Sequence, residues 1–263
     1  MASPDLGSKG MKKYSKRPGL KAVDVGARKA SPTYGREAFI TFVEKGGGTL
    51  VFDNDAERLV AHMLGFDPRV RRIQAQPFAV DIVEGRLLRS AQQRDDALRK
   101  YAGRRGASLY TPDFYVERTD GKQIAVEVKL EGFIGGDADR ERLDQATKVL
   151  NVLGYEVARV VMPNSTHHPL RANIGLLHAV TQRADLHPTE EILDRLRQVA
   201  NQGARTLLDY ARGLDVSVNL MPALVVYGAL SSDIIKERFE GRMLMQPAHG
   251  SLDHLSLMER LIQ

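Results

Sequence analysis

The sequence predicts an α/β protein: a core of mixed β-sheet flanked by helices, followed by a small, mainly helical C-terminal part. Three observations carry this expectation. The middle of the chain reads helix, strand, strand, strand, helix, strand, the order of an α/β core. Residues 109–117 and Gln123–Leu130 are rich in β-branched and aromatic side chains and are separated by a short turn, Thr119-Asp120-Gly121. Beyond Asp185 the apolar residues recur mostly at helical spacing.

The elements follow in order. Residues 1–35 are rich in Gly, Ser, Pro and Lys without a sustained period, which predicts a flexible arm. Nine basic and two acidic side chains fall within residues 1–36, a surplus of seven against a net +5 for all 263 residues. The excess positive charge therefore belongs to the arm. Such an arm either binds polyphosphate or is simply solvated. Phe39–Val43 and 49–52 read as strands around Gly46-Gly47-Gly48. A helix then starts at a cap, Asp53 or Asn54. Ala56, Leu59, Val60, Met63 and Leu64 share its apolar stripe, and Gly65 is its expected stop.

Residues 70–78 read as extended up to Pro77, and 80–88 as a hairpin turning at Glu84-Gly85. Residues 94–105 form a charged helix or loop. After the two clear strands comes a helix over 138–153, with Leu143, Ala146, Val149, Leu150 and Leu153 on one face and Gly154 as its stop. A buried strand at 155–162 and a helix at 170–183 follow. Asp185-Leu186-His187-Pro188 is a joint. Thr189 caps a helix over 190–199, with Glu190 and Glu191 in its first turn. Further helices are expected at 204–212, 222–227 and 232–239, and a short strand at 242–246. The parts are thus an arm (1–35), an α/β domain (36–166) and a C-terminal domain (167–263).

Composition excludes several classes. The hydrophobic share is an ordinary 43%, no apolar run is long enough to span a bilayer, and the N-terminus lacks an apolar leader. A cytoplasmic protein without membrane association is expected. The absence of cysteine removes disulfides, thiolate metal sites and a cysteine nucleophile. Gly46-Gly47-Gly48 lacks the following Lys-Ser/Thr of a phosphate-binding loop.

The chemistry concentrates in one hairpin. A three-residue loop ending in Gly121 pairs Arg118 with Lys122. Counting back, Val116 faces Ile124, Phe114 faces Val126, and Asp113 faces Glu127. Side chains alternate along a strand, so the apolar pairs share one face while Asp113, Glu127 and Lys129 share the other. Adjacent carboxylates repel unless a cation lies between them, and oxygen ligands favour a hard ion, Mg²⁺ or Mn²⁺. Ala125 leaves room beside Glu127. Lys129 is placed to stabilise a phosphorane or orient a water. Two acids, a divalent ion and an amine are what phosphodiester hydrolysis requires. The bland alternative is a solvated strand face with a Glu–Lys neighbour pair.

The pattern Pro112-Asp113 … Glu127-Val128-Lys129 resembles the PD-(D/E)xK nuclease superfamily. The run from Glu57 through Phe66-Asp67-Pro68-Arg69-Val70, Gln74-Ala75-Gln76-Pro77-Phe78 and Tyr110-Thr111-Pro112-Asp113-Phe114 to Pro169-Leu170-Arg171-Ala172-Asn173 resembles one branch of it, the TnsA-type endonuclease subunits of heteromeric transposases. The resemblance covers roughly residues 37–173. It implies a restriction-endonuclease-like core. Its catalytic residues would be Glu57, Asp113, Glu127 and Lys129; its metal ligands Glu57, Asp113, Glu127 and the Val128 backbone carbonyl. Glu127 stands where some members carry glutamine. Without the resemblance, Glu57 reads as a first-turn charge favouring the helix dipole.

The resemblance further implies a Mg²⁺-dependent enzyme, with Mn²⁺ as a substitute. It would cut the 5′ ends of a transposon in double-stranded DNA beside a TnsB-type transposase and a TnsC-type AAA+ ATPase. A winged-helix-like C-terminal part would dock on the ATPase, built from residues 223–228, 232–239 and 242–245. Alternatives are an endonuclease of restriction or repair and a catalytically inert adaptor that binds DNA or the ATPase.

Weaker candidates remain. Arg104 and Arg105 precede the catalytic strand and are candidate DNA-backbone contacts, or plain surface loop. Gln145 and Lys148 on the following helix are candidate DNA contacts, or an exposed polar face. His167-His168 fits no zinc spacing and reads as loop. Asp53 reads as a cap rather than a ligand.

Overall fold

The computed structural model describes residues 39–133 and 135–262; the expected arm at 1–35 lies outside the described residues. The chain opens with a hairpin, β1 (Phe39–Val43) against β2 (Gly48–Phe52). Helix α1 (Asp55–Phe66) follows. Its N-cap is Asn54, whose side chain accepts from Glu57 N–H; Asp53 is not the cap. Gly65 does not stop α1. It lies in the last turn, where Val43 packs so closely that an added Cβ would lie 3.1 Å from it.

Strand β3 (Val70–Ala75) leads to β4 (Ala79–Asp81), β5 (Arg86–Leu88), α2 (Ala91–Lys100) and β6 (Leu109–Tyr110). Then come β7 (Phe114–Arg118), β8 (Gln123–Leu130), α3 (Asp137–Val152), β9 (Glu156–Met162) and α4 (Pro169–Thr181). The central sheet has the order β3-β7-β8-β9 and is mixed: β3/β7 and β7/β8 are antiparallel, β8/β9 parallel. A second sheet has the order β5-β4-β6.

The hairpin register is the expected one, with Phe114 opposite Val126 and Val116 opposite Ile124. Arg118 N–H donates to the Lys122 carbonyl at 2.9 Å, and Gly121 takes a φ of +86°. One sheet face buries Ile73, Phe114, Val116, Ile124 and Val126 in the core that α1 also lines. The other buries Ala125 with Ala146 and Leu150 of α3. The α/β architecture with a mixed sheet between helices thus stands. The strand expected over 109–117 is cut in two, because Pro112 has no N–H for a ladder and the residue before it is sterically restricted.

The remaining elements are α5 (Glu190–Asn201), α6 (Leu207–Leu214), α7 (Met221–Val226), β10 (Leu230–Ser231), β11 (Gln246–Pro247) and α8 (Leu257–Leu261). Thr189 caps α5 as expected, and Thr206 closes a capping box with Asp209 that starts α6 later than residue 204. The helix expected at 232–239 is absent; the segment forms turns. Asn173 of α4 holds it there, its Nδ2 donating to the Ile234 and Glu237 carbonyls and its Oδ1 accepting from Phe239 N–H. These tertiary bonds replace the i→i+4 ladder. The strand expected at 242–246 reduces to a bridge at Leu244 and the short β11 paired with β10.

A single buried cluster runs from Val43 through α1 and α4 (Leu170, Ile174, Leu177) to Met258 of α8, across the boundary expected at residue 166. Among the described residues no helix is long and apolar enough to cross a membrane.

Candidate active site

Glu57 enters the site from the first turn of α1. The cap fixes it: Asn54 Oδ1 accepts from Glu57 N–H at 2.9 Å, Asn54 Nδ2 donates to Glu57 Oε1, and Asp53 N–H donates to Oε2 at 3.3 Å. The side chain is only 6% exposed. A carboxylate at a helix N-terminus is also favoured by the helix dipole.

Asp113 owes its position to a paired break in the sheet. β3 ends at Ala75 and the chain turns at Gln76-Pro77; alongside, β6 ends at Tyr110 and the chain passes through Thr111-Pro112-Asp113. The Gln76 N–H donates to the Asp113 carbonyl at 2.9 Å and locks the two breaks together. Asp113 therefore precedes the ladder. Its Oδ2 accepts from the Val128 N–H at 2.7 Å. The carboxylate thus meets the backbone of β8 beside Glu127, the residue that the register sets opposite Asp113.

Glu127 stands on the α3 face of β8, buried beside Ala125. Both its oxygens are engaged: Tyr110 O–H donates to Oε2 at 2.7 Å, and Lys129 Nζ lies 2.6 Å from Oε1. Lys129 is two residues along the same face. The Val128 carbonyl leaves β8 on the side of its own N–H, toward Asp113.

The electrostatics of these groups are coupled. Asp113 keeps a partly accessible surface, but its carboxyl is densely surrounded by protein. Burial pushes its pKa well above the usual aspartate value; Glu127 and Glu57 push it further, while the Val128 N–H and Lys129 oppose. Burial, then Glu127, raises the Tyr110 pKa well above the usual phenol value, so Tyr110 stays a donor.

Three acids on separate elements, α1, the Pro112 turn and β8, thus converge with one amine. Among the described residues, however, no group of three His, Asp or Glu side chains is arranged to hold one ion. The donor chemistry itself fits a hard divalent ion: oxygen ligands, buried, mutually repelling.

The other expected contacts stand apart from these bonds. Arg104 and Arg105 lie exposed in the turn after α2, Lys148 is exposed on α3, and Gln145 donates to Glu141 at 3.0 Å. His168 caps α4, its Nδ1 accepting from Leu170 N–H. Sequence reasoning assigned no role to Tyr110, Gln76 or Arg142. Arg142 of α3 lies near enough to oppose the Tyr110 shift. Tyr110 sits three residues before Asp113, and no strand period predicts its direction once Pro112 breaks the strand. Compared with known proteins, the chain matches no protein family and no curated sequence.

Proposed function

We propose that this chain is a metal-dependent DNA endonuclease with a restriction-endonuclease-like core of the PD-(D/E)xK kind. In this reading it is the TnsA-type subunit that cuts the 5′ ends of a transposon, beside a TnsB-type transposase and a TnsC-type AAA+ ATPase. The observation that supports it most is the bonding after the Pro112 turn: Asp113 accepts from the Val128 N–H, next to Glu127 with Lys129 paired to it, and the Glu127 and Glu57 charges help raise the Asp113 pKa. A water face or a structural ion pair has no need of three acids from three elements crowded until one resists ionisation.

Glu57, Asp113, Glu127 and the Val128 carbonyl would hold Mg²⁺, or Mn²⁺ in its place. The ion, when bound, supplies an activated water and neutralises phosphate charge. The chain's own groups do the rest. Tyr110 fixes the Glu127 carboxylate. The Val128 N–H fixes Asp113. Lys129, on a flexible stem, moves from Glu127 to a phosphoryl oxygen and offsets the charge that grows there. In the same reading the C-terminal part docks on the ATPase; of the winged-helix elements expected at 223–228, 232–239 and 242–245, only α7 and a bridge at Leu244 form, because Asn173 holds 232–239 in turns.

The test is cleavage of duplex DNA bearing the transposon ends, with Mg²⁺ and the partner transposase present. Asp113→Ala should abolish cutting and Lys129→Ala should slow it by on the order of 10²–10³-fold or more, each with the circular dichroism spectrum unchanged. Cutting at the unmutated rate by either variant overturns the site.

A further inference from the structure

Gln76 is the residue of this region that the nuclease reading leaves unused. Its φ is +44°, in the left-handed region that L-residues other than Asn and Asp seldom occupy. Backbone strain of this kind persists where surrounding structure enforces it, and it clusters at functional sites. Here the strained residue turns the chain out of β3, and its N–H holds Asp113 through the carbonyl at 2.9 Å.

The side chain reaches the start of α1. Gln76 is 6% exposed. Its Nε2 reaches Asp53 Oδ2 at 3.4 Å, and Asp53 N–H in turn donates to Glu57 Oε2 at 3.3 Å. Gln76 therefore links the Asp53–Glu57 cap, through its side chain, to Asp113, through its backbone N–H. Its other end, Oε1, is buried and takes no hydrogen bond from the protein. A buried acceptor without a donor is costly and uncommon. No protein group donates to it. A hydrated cation brings O–H donors.

A neutral amide suits this position better than another acid. It adds an oxygen without adding charge to Asp53, Glu57 and Asp113, and its N–H end still holds Asp53.

We propose that Gln76 is a further binding residue of the site, its Oε1 accepting a hydrogen bond from a water in the shell of the divalent ion. This rests on the nuclease reading and deepens it. Gln76 makes and breaks no bond; it fixes where the ion's water sits.

The test is Mn²⁺ titration of the full chain without DNA, read by electron paramagnetic resonance and by the melting temperature. Unmutated protein, Gln76→Met and Asp113→Ala are compared. Gln76→Met keeps the bulk and should bind Mn²⁺ ~10–100-fold more weakly, with metal-free melting unchanged or higher. Asp113→Ala should lose binding. Gln76→Met affinity within twofold of the unmutated chain overturns the inference alone, as does a lower metal-free melting temperature with unaltered affinity. If Gln76→Met does not fold, Gln76→Asn carries the comparison by the same criterion, because asparagine tolerates positive φ but retracts the amide. If the unmutated chain binds no Mn²⁺, the nuclease reading falls and this inference with it.

Discussion

The Lys129 amine rests 2.6 Å from Glu127 Oε1, while Tyr110 holds the other oxygen of the same carboxylate. The amine is thus parked on an acid that the proposed reaction needs for an ion. Lys129→Ala should slow DNA cleavage by on the order of 10²–10³-fold or more, measured in single-turnover assays with Mg²⁺. Cutting at the unmutated rate would overturn the site.

Asp113 is crowded by burial and by two acids, so its pKa is raised in the folded chain. A raised carboxyl pKa means the folded state binds the proton more tightly than the unfolded one. The resulting penalty appears as pH rises above the ordinary aspartate value and is complete above the folded value. Asp113→Asn removes it and keeps an oxygen for the Val128 N–H. Without divalent ions at pH 7 the variant should melt a few degrees higher, about 2–4 °C per kcal/mol, yet cut no DNA. A lower melting temperature would contradict the crowding.

Tyr110→Phe deletes one hydroxyl from a fully packed position. The ring stays, so the fold should stay. The Glu127 carboxylate loses its anchor, and the Mg²⁺ concentration for half-maximal cleavage should rise ~10-fold. An unchanged Mg²⁺ dependence would show that Lys129 alone orients Glu127.

Away from the site, His62 of α1 and His178 of α4 stack at 3.7 Å, with Thr41 Oγ1 2.7 Å from His62 Nε2. Burial, then His178 and Arg58, lowers the His62 pKa to about 3. Burial and Arg58 lower that of His178 too. Unfolded histidine titrates near 6.5, so the His62 contribution is whole above pH 6.5 and is lost as pH falls toward 3, at up to about 1.4 kcal/mol per pH unit for a proton taken up only on unfolding; the lowered His178 pKa acts in the same direction. Denaturant melts between pH 7 and pH 4 should show the slope, and His62→Gln should reduce it. An equal slope in the variant would place the acid sensitivity elsewhere.

Asn173 makes three hydrogen bonds to the turn at 234–239 from a side chain that is almost wholly buried. Asn173→Ala should cost about 3 kcal/mol, from lost bonds and orphaned backbone groups. It should also speed proteolysis within 232–240. Protection equal to that of the unmutated chain would mean packing alone fixes this turn.

The sequence by itself determined the hairpin. Gly121 closes a three-residue loop, and the apolar pairs Phe114–Val126 and Val116–Ile124 admit one register, because a slip by one residue would turn every side chain to the wrong face. It likewise determined the stripe of α1, the Thr189 cap and the helix–strand order, all set by local period and cap chemistry. Only the tertiary structure decided what those elements meet. That Asp113 is held through its carbonyl depends on Gln76, which is 37 residues away in the chain. That Tyr110 reaches Glu127 depends on a strand broken by Pro112. That residues 232–239 turn instead of coiling depends on Asn173. Each is a contact between distant segments, and local spacing carries no record of which distant partner will supply a hydrogen bond.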